Sequence, residues 1–444
     1  MDDICAIATP YGRGAISIIR CSGPNSITLV NKIFKGRDLS KIEGNRIVYG
    51  HIVDKGEVID EVMVSIYRTP HSYDGENSCE INCHGGVFVT NLVLTTLLNN
   101  GFRLAEPGEF TKRAFLNHKM DLTAAESVMD VVNAESKLAL KSSLNALDSR
   151  LFKMIKGLRE EILNILAEIE VNIDYPEYDD AVDVTHSYLE SHLTSLIKKM
   201  GEILENSKIS PIIVNGIKTA IVGKPNVGKS TILNMLLGEN KAIVSDIAGT
   251  TRDIVEGQIR LGEISLNLLD TAGIRDDSDY IESMGIAKSK ETINQADLIL
   301  LVLDLSRDLT KDDYNLIDLV KDKRYILIAN KSDLEAKWQR NDVLVISAKN
   351  SDGLLELKNK IYEVLKINEF NPSNPSLNNI RQKTLMEASL KSLVEALNNT
   401  KKLVDISLIE IDIKDAFDKL GEITGESYPE ELITALFTKF CLGK

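Results

Sequence analysis

The chain has 444 residues, 43% hydrophobic and 27% charged, with a formal net charge of −14. That length is too great for a single core and points to about three domains, and the ordinary balance of apolar and charged residues excludes a disordered chain. The negative charge argues against broad electrostatic binding of nucleic acid, so any RNA contact needs a local basic patch or a basic partner.

The start, Met1-Asp2-Asp3, is acidic where a signal peptide would be basic, so nothing points to export and a cytoplasmic protein is expected. The first ~120 residues read as α+β. Arg46–Val53 and Val58–Tyr67 alternate apolar and polar residues around a turn at Asp54-Lys55-Gly56, which predicts a hairpin. Val87–Asn99 follows Gly85-Gly86 as an amphipathic helix, and its apolar part is too short to span a bilayer. Cys5, Cys21, Cys79, Cys83 and Cys441 show no paired spacing, and Cys79-x-x-x-Cys83 with His84 lacks the further ligands of a zinc site. Reduced thiols are expected.

From Leu122 the period becomes helical. Leu144, Leu147, Leu151, Ile155, Leu158, Ile162, Ile165 and Ile169 predict one continuous stripe, ended by the acidic loop from Asp174 to Asp183. Leu189, Leu193, Leu196, Met200 and Ile203 predict a second long helix. Between Ile217 and about Ile367 the pattern is α/β, with short apolar strands at Ile217–Val222, Ile264–Leu269, Leu298–Leu303, Tyr325–Ala329 and Val343–Ile346, as in a doubly wound, mainly parallel sheet. Asn371 to Ser376 reads as a linker, and helical periodicity returns from Leu385 to Leu403. The organisation expected is an N-terminal domain over 1–119, a helical domain over 120–213 and 371–444, and an α/β domain inserted at 214–370.

Gly223-Lys-Pro-Asn-Val-Gly-Lys-Ser230 lies between the first of these strands and an apolar helix beginning at Thr231. A G-x-x-x-x-G-K-S string in that context is a P-loop, where backbone N–H groups and a helix N-terminus converge on phosphate. Asn226, Val227, Gly228, Lys229, Ser230 and Thr231 are the expected phosphate contacts, with the Lys229 ammonium on the β- and γ-phosphates and the Ser230 hydroxyl on Mg²⁺. Asp270-Thr271-Ala272-Gly273 follows a strand, so its carboxylate can hold magnesium through water and the Gly273 N–H can sense the γ-phosphate. Gly249-Thr250-Thr251-Arg252-Asp253 supplies a hydroxyl for Mg²⁺, assigned to Thr251 with Thr250 as the alternative.

The base is read from Asn330-Lys331-Ser332-Asp333, since one carboxylate accepts hydrogen bonds from both N1–H and the 2-amino group of guanine, and adenine offers neither. Ser347-Ala348-Lys349 would support the guanine O6 through a backbone N–H. GTP is therefore the expected substrate, and this part of the chain resembles the translation-factor-like GTPases. Ile274 stands where Ras-like enzymes carry a water-orienting glutamine, so another group must do that work, and Glu282 is the candidate. Asn226 offers a neutral oxygen near the phosphates, where a monovalent cation could neutralise developing charge; a turn-stabilising asparagine is the alternative. Arg252, Arg275 and Lys288 read as solvated surface charge.

Ala8-Thr-Pro-Tyr-Gly-Arg-Gly-Ala15, Arg20-Cys-Ser-Gly23, His84-Gly-Gly86, Glu106-Pro-Gly-Glu-Phe-Thr-Lys-Arg-Ala-Phe-Leu-Asn117 and the terminal Cys441-Leu-Gly-Lys444 together resemble the MnmE (TrmE) family of tRNA modification GTPases over the whole chain. The resemblance implies a folate-binding and dimerising N-terminal domain, a discontinuous helical bundle and an inserted Ras-like G domain. It implies a homodimer working with a flavin-dependent partner, MnmG (GidA), on tRNA. The product would carry an aminomethyl or carboxymethylaminomethyl group on C5 of the wobble uridine, with 5-formyl- or methylene-tetrahydrofolate as one-carbon source. It further implies K⁺ held by Asn226, the Ser245 and Ile247 carbonyls and Thr250, within the nucleotide-binding run Ser245, Asp246, Ile247, Ala248, Gly249, Thr250 and Thr251. Hydrolysis would be fast when K⁺ is bound and two G domains meet. Glu282 would position water; Arg20, Glu80, Lys119 and Lys444 would bind folate. Cys441 would lie beside the folate pocket, as a participant in the chemistry or as an inert small hydrophobe. The reading from another class is a ribosome-assembly switch, but that would carry a basic KH-like module or a second G domain, and neither pattern is found.

Overall fold

The computed structural model describes residues 2–174, 184–238, 257–269, 291–426, 436–438, 440 and 443–444. Alternating apolar residues at the start of the chain build a seven-stranded sheet of order β3-β4-β5-β6-β2-β1-β7. Its strands are β1 (Ile4–Ile7), β2 (Ile16–Ser22), β3 (Phe34–Gly36), β4 (Arg46–Asp54), β5 (Glu57–Tyr67), β6 (Ser78–His84) and β7 (Arg103–Leu104). All neighbours run antiparallel except β1 and β7. Period-2 alternation sends Ile19, Cys21, Val62, Val64, Ile66, Cys79 and Ile81 to one face, where the helices Ser26–Ile33 and Val87–Asn99 cover them with Ile27, Val30, Val93 and Leu97. The predicted hairpin is β4–β5, and the predicted helix Val87–Asn99 has those bounds.

Two compact units emerge, one holding residues up to Met129 and from Gly421 onward, the other running from Asp130 to Leu420 as far as described. In the first, Phe437 and Phe440 pack with Leu122, Ala125 and Val128, so the C-terminal segment completes the N-terminal unit.

In the second unit, long amphipathic helices lie on both sides of the inserted domain in sequence. Helix Arg150–Asp174 buries Leu151, Ile155, Leu158, Ile162, Ile165 and Ile169, and His186–Asn206 buries Leu189, Leu193, Leu196 and Met200. Ile380–Lys401 packs on His186–Asn206, and Ser389 donates across to the Ala416 carbonyl of helix Ile406–Thr424 at 2.9 Å. The expected single stripe through Leu144 is two helices. Lys137–Leu147 stops before Ser149, which adopts a left-handed φ of 56°, and Arg150 starts the next helix. A left-handed non-glycine residue cannot continue an α-helix, and Leu144 and Leu147 point to solvent, 45% and 36% exposed.

The inserted domain contains a six-stranded sheet of order β13-β12-β11-β8-β10-β9. These strands are β8 (Ile217–Val222), β9 (Gln258–Leu261), β10 (Ile264–Leu269), β11 (Leu298–Asp304), β12 (Tyr325–Asn330) and β13 (Val343–Val345). Only β9, absent from the sequence reading, is antiparallel to its neighbour. Strand order reverses beside β8, the place where open α/β sheets leave a crevice at their carboxyl ends. Where the chain passes into and out of this domain, Ser210 and Ser376 both donate to the buried Asn378 Oδ1, at 2.6 and 3.0 Å, and Ser142 joins them at 3.2 Å.

Candidate functional site

The loop after β8 has its shape fixed by backbone conformation. Gly223, Asn226 and Gly228 have φ values of 155°, 62° and 97°. A Cβ on Gly223 would strike the Val302 carbonyl of β11, and one on Gly228 would strike the Asn330 amide, so both positions need glycine. The helix Lys229–Gly238 begins directly after the loop, with Ile232 N–H bonded back to the Gly228 carbonyl at 3.0 Å. Lys229 Nζ folds back to donate to the Gly223 and Lys224 carbonyls at 2.9 and 2.8 Å, which holds the ammonium in the loop, and burial lowers its pKa. Desolvated charge beside a helix N-terminus is what a phosphate would relieve. Ser230 and Thr231 open the helix on its exposed side, Val227 is buried beneath, and Asn226 is exposed at the loop's apex.

Asn330, at the end of β12, joins three loops. Its amide donates to the Val227 carbonyl at 2.9 Å, and its oxygen accepts from the Ala348 N–H at 3.0 Å. The phosphate loop, the Asn330–Asp333 loop and the Ser347–Lys349 loop are therefore tied through one buried side chain. Asp333 is exposed and accepts from Ser347 Oγ at 2.7 Å; that hydroxyl holds its carboxyl below the usual range, so it stays an anion ready to accept. Lys349 is exposed nearby. Two residues that sequence reading missed complete the group. Asp304, ending β11, takes Lys331 Nζ at 2.6 Å, and its carbonyl accepts from Trp338 Nε1 at 2.9 Å. The available signal was a carboxylate closing an apolar parallel strand on the crevice side of the sheet.

Ser245, Asp246, Ile247, Ala248, Gly249, Thr250, Thr251, Asp270, Thr271, Ala272, Gly273, Glu282 and Cys441 lie outside the described residues, as do Ile274, Arg252, Arg275, Lys288 and residues 175–183 of the acidic loop.

A second constellation sits in the N-terminal unit. Arg20 on β2 and Glu80 on β6 are register partners, and the Arg20 Nε and NH2 donate to one carboxylate oxygen at 3.1 and 3.0 Å. The guanidinium lies 5.1 Å from the Tyr73 ring centre and 5.6 Å from that of Phe110, and its NH1 donates to the Gly443 carbonyl at 3.2 Å. Lys444 therefore follows directly on a residue bonded to Arg20. Lys119 donates to the Pro70 carbonyl at 2.9 Å, on the same loop as Tyr73. The glycine strings make close main-chain contacts elsewhere in this unit: Gly14 N–H bonds the Gly85 carbonyl at 2.9 Å, past the Ile16–His84 end of β2 and β6, and a Cβ on Gly443 would lie 2.5 Å from the Ile7 carbonyl.

Cys79 and Cys83 lie in the sheet interior, and burial pushes the Cys79 thiol up to about 12. His84 turns to the opposite face and pairs with Asp60 at 2.7 Å. Among the described residues no group of His, Cys, Asp and Glu has metal-holding geometry, and no helix is long and apolar enough to cross a membrane.

Residues 3–119 match the profile described as "GTP-binding protein TrmE N-terminus", and residues 122–441 match the "MnmE helical domain". The chain belongs to the MnmE (TrmE) family. Similar relatives include the tRNA modification GTPase MnmE of Lactococcus lactis subsp. cremoris, 46% identical over 448 residues, covering 100% of this chain and 98% of that protein. The family member of the same description from Ligilactobacillus salivarius is 45% identical over 455 residues with the same coverage. Among solved structures, the FeoB G-domain of Methanococcus jannaschii covers 34% of this chain and 98% of its own at 24% identity, with a TM-score of 0.25 that supports no inference.

Proposed function

We propose that this chain is a potassium-activated GTPase of tRNA modification. With a flavin-dependent partner of the MnmG (GidA) kind, it places an aminomethyl or carboxymethylaminomethyl group on C5 of the wobble uridine. The observation that supports the nucleotide part of this reading is the three-loop junction at Asn330, which ties the Gly223–Ser230 loop to the loops of Asp333 and Ala348.

Ser230, with Thr251, would hold Mg²⁺; the exposed hydroxyl at the helix start suits a hard cation. Asn226, with the Ser245 and Ile247 carbonyls and Thr250, would hold K⁺, and the exposed amide on a left-handed residue fits a neutral oxygen ligand. A positive charge there would offset what Ile274 cannot do, while Glu282 positions water. In the N-terminal unit a cation, a carboxylate and the part-exposed Tyr73 ring suit a planar, polar heterocycle, and Arg20, Glu80, Lys119 and Lys444 would hold a tetrahydrofolate derivative. That group supplies the one-carbon unit when bound. Cys441 is assigned to the same chemistry. Homodimerisation is favoured by the sheet face that carries Arg20, which also exposes Ile16, Ile47, Tyr49 and Met63, from 49% to 69%. The domain divisions at 119, 213 and 370 belong to this proposal, as does a cytoplasmic location.

The test is GTP turnover by the full chain in K⁺ and in Na⁺ buffers of equal ionic strength. The expected result is at least a ~10-fold advantage in K⁺ that Asn226→Ala abolishes. Equal rates in the two salts, or an Asn226→Ala variant that keeps its potassium response, would overturn the cation assignment.

A further inference from the structure

Asp304 is a buried carboxylate, 7% exposed, at the carboxyl end of a strand whose other residues are all apolar. A charge in that position is tolerated only if it is paired and hydrogen-bonded. Burial works to raise its pKa, yet Lys331 and Ser306 together hold the carboxyl below its ordinary range. Both of its oxygens are engaged. Ser306 donates to Oδ1 through its N–H at 2.9 Å and its hydroxyl at 2.6 Å, and Lys331 Nζ donates to Oδ2 at 2.6 Å.

Asp304 and Asn330 are register partners on β11 and β12, so the residue that follows Asn330 starts its loop beside the Asp304 carboxylate. Lys331 has a left-handed φ of 70°, an unfavourable conformation for a lysine that the surrounding structure must impose. Its carbonyl accepts from the Leu334 N–H at 3.0 Å, closing the turn that presents Asp333. The ammonium is anchored at one end and the backbone at the other. Between them runs the four-carbon stem of Lys331, an apolar surface within the same turn as Asp333.

We infer that Asp304 is a positioning residue for base recognition: by anchoring Lys331 it fixes the wall against which a guanine rests while Asp333 accepts its N–H groups. The inference rests on the reading of Asn330–Asp333 as the base loop, and acts through Lys331 alone. Arg307 also faces this carboxylate, with its Nε 4.0 Å from Oδ2, and its NH2 lies 4.0 Å from Asp313. Trp338, the single tryptophan of the chain, is bonded to the Asp304 main-chain carbonyl and reports whether the loop keeps its place after the side chain is changed.

The experiment is a double-mutant cycle on the full chain, with binding of fluorescently labelled GDP as readout and Trp338 emission as the check on folding. Asp304→Asn should weaken GDP about ten-fold, a charged hydrogen bond's worth. Lys331→Ala should weaken it at least as much, and adding Asp304→Asn to Lys331→Ala should change affinity no further. If Lys331→Ala leaves GDP binding intact, the base-loop reading itself fails. If Lys331→Ala weakens binding but Asp304→Asn does not, or if Asp304→Asn costs as much with Lys331 absent as with it present, the role given to Asp304 is wrong. Should Asp304→Asn fail to fold, Asp304→Glu takes its place in the same cycle. It should lose about three-fold with Lys331 present and nothing without it; no loss in either background, or equal losses in both, would overturn the inference.

Discussion

The nucleotide loops and the Arg20 constellation are two candidate sites made in opposite ways. The first is built from main-chain conformation, with Gly223, Asn226 and Gly228 shaping one loop and the Asn330 side chain stitching it to its neighbours over short, contiguous strings. The second is built from side chains brought together from distant parts of the chain, with Glu80 60 residues from Arg20 and Gly443 423 residues away. A main-chain site is written in local sequence because backbone geometry restricts which residues can occupy each position. A side-chain site depends on strand register, and register is a property of the whole sheet.

The sharpest way to test that contrast is to change the base without touching the phosphate loop. Asp333→Asn replaces an acceptor of two guanine N–H groups by an amide that can donate. Loss of two charge-assisted hydrogen bonds should weaken GTP on the order of 10²-fold and bring xanthosine triphosphate up to equal or better affinity. Competition between the two nucleotides measures it. A variant that loses both nucleotides equally would show Asp333 to be a structural residue of the loop, and the local-string logic would fail at its most specific point.

What the sequence made legible follows the same division. β8 and β10 have the bounds read from their apolar runs, and β11 and β12 each run one residue further, to Asp304 and Asn330. Those added residues are polar, and an apolar-run criterion stops before them, although their side chains make the hydrogen bonds that join the loops at the crevice. Hydrophobic spacing also ran through Ser149, since period alone registers no change in the sign of φ. Arg20 and Glu80 entered only through family resemblance; their pairing needed the strand register of β2 with β6, and the Tyr73 and Phe110 rings near Arg20 come from other segments.

A middle-sized effect should come from the N-terminal site. Arg20→Ala removes the cation beside the Tyr73 and Phe110 rings and leaves the half-buried Glu80 carboxylate without its guanidinium. Binding of a reduced folate should fall about 30-fold or more by calorimetry, since truncating one partner of such a pair costs a few kcal/mol. The basal rate of GTP turnover should stay within about two-fold of wild type, because the altered residue belongs to a different compact unit from the phosphate loop. A matching collapse of GTP turnover would mean that the two sites are not separable in the way their construction suggests.

The smallest effect is expected at His84, where the two kinds of construction meet. Its neighbour Gly85 packs main chain to main chain against Gly14, while its own ring is bonded to the side chain of Asp60 on the neighbouring strand. Hydrogen bonding to Asp60, together with that carboxylate's charge, raises the His84 pKa above the ordinary 6.5. A histidine whose folded pKa is raised contributes stability in full below its unfolded pKa and loses it as pH climbs through the raised value. The wild-type chain should therefore lose a small part of its thermal stability just above pH 6.5 that His84→Gln does not lose, and the difference between the two melting temperatures should shrink as pH rises. The ring is 70% exposed, so added salt should shrink it as well. A pH-independent difference would assign His84 a purely steric part in holding Gly85 against Gly14, and the side-chain half of this junction would then add nothing to its main-chain half.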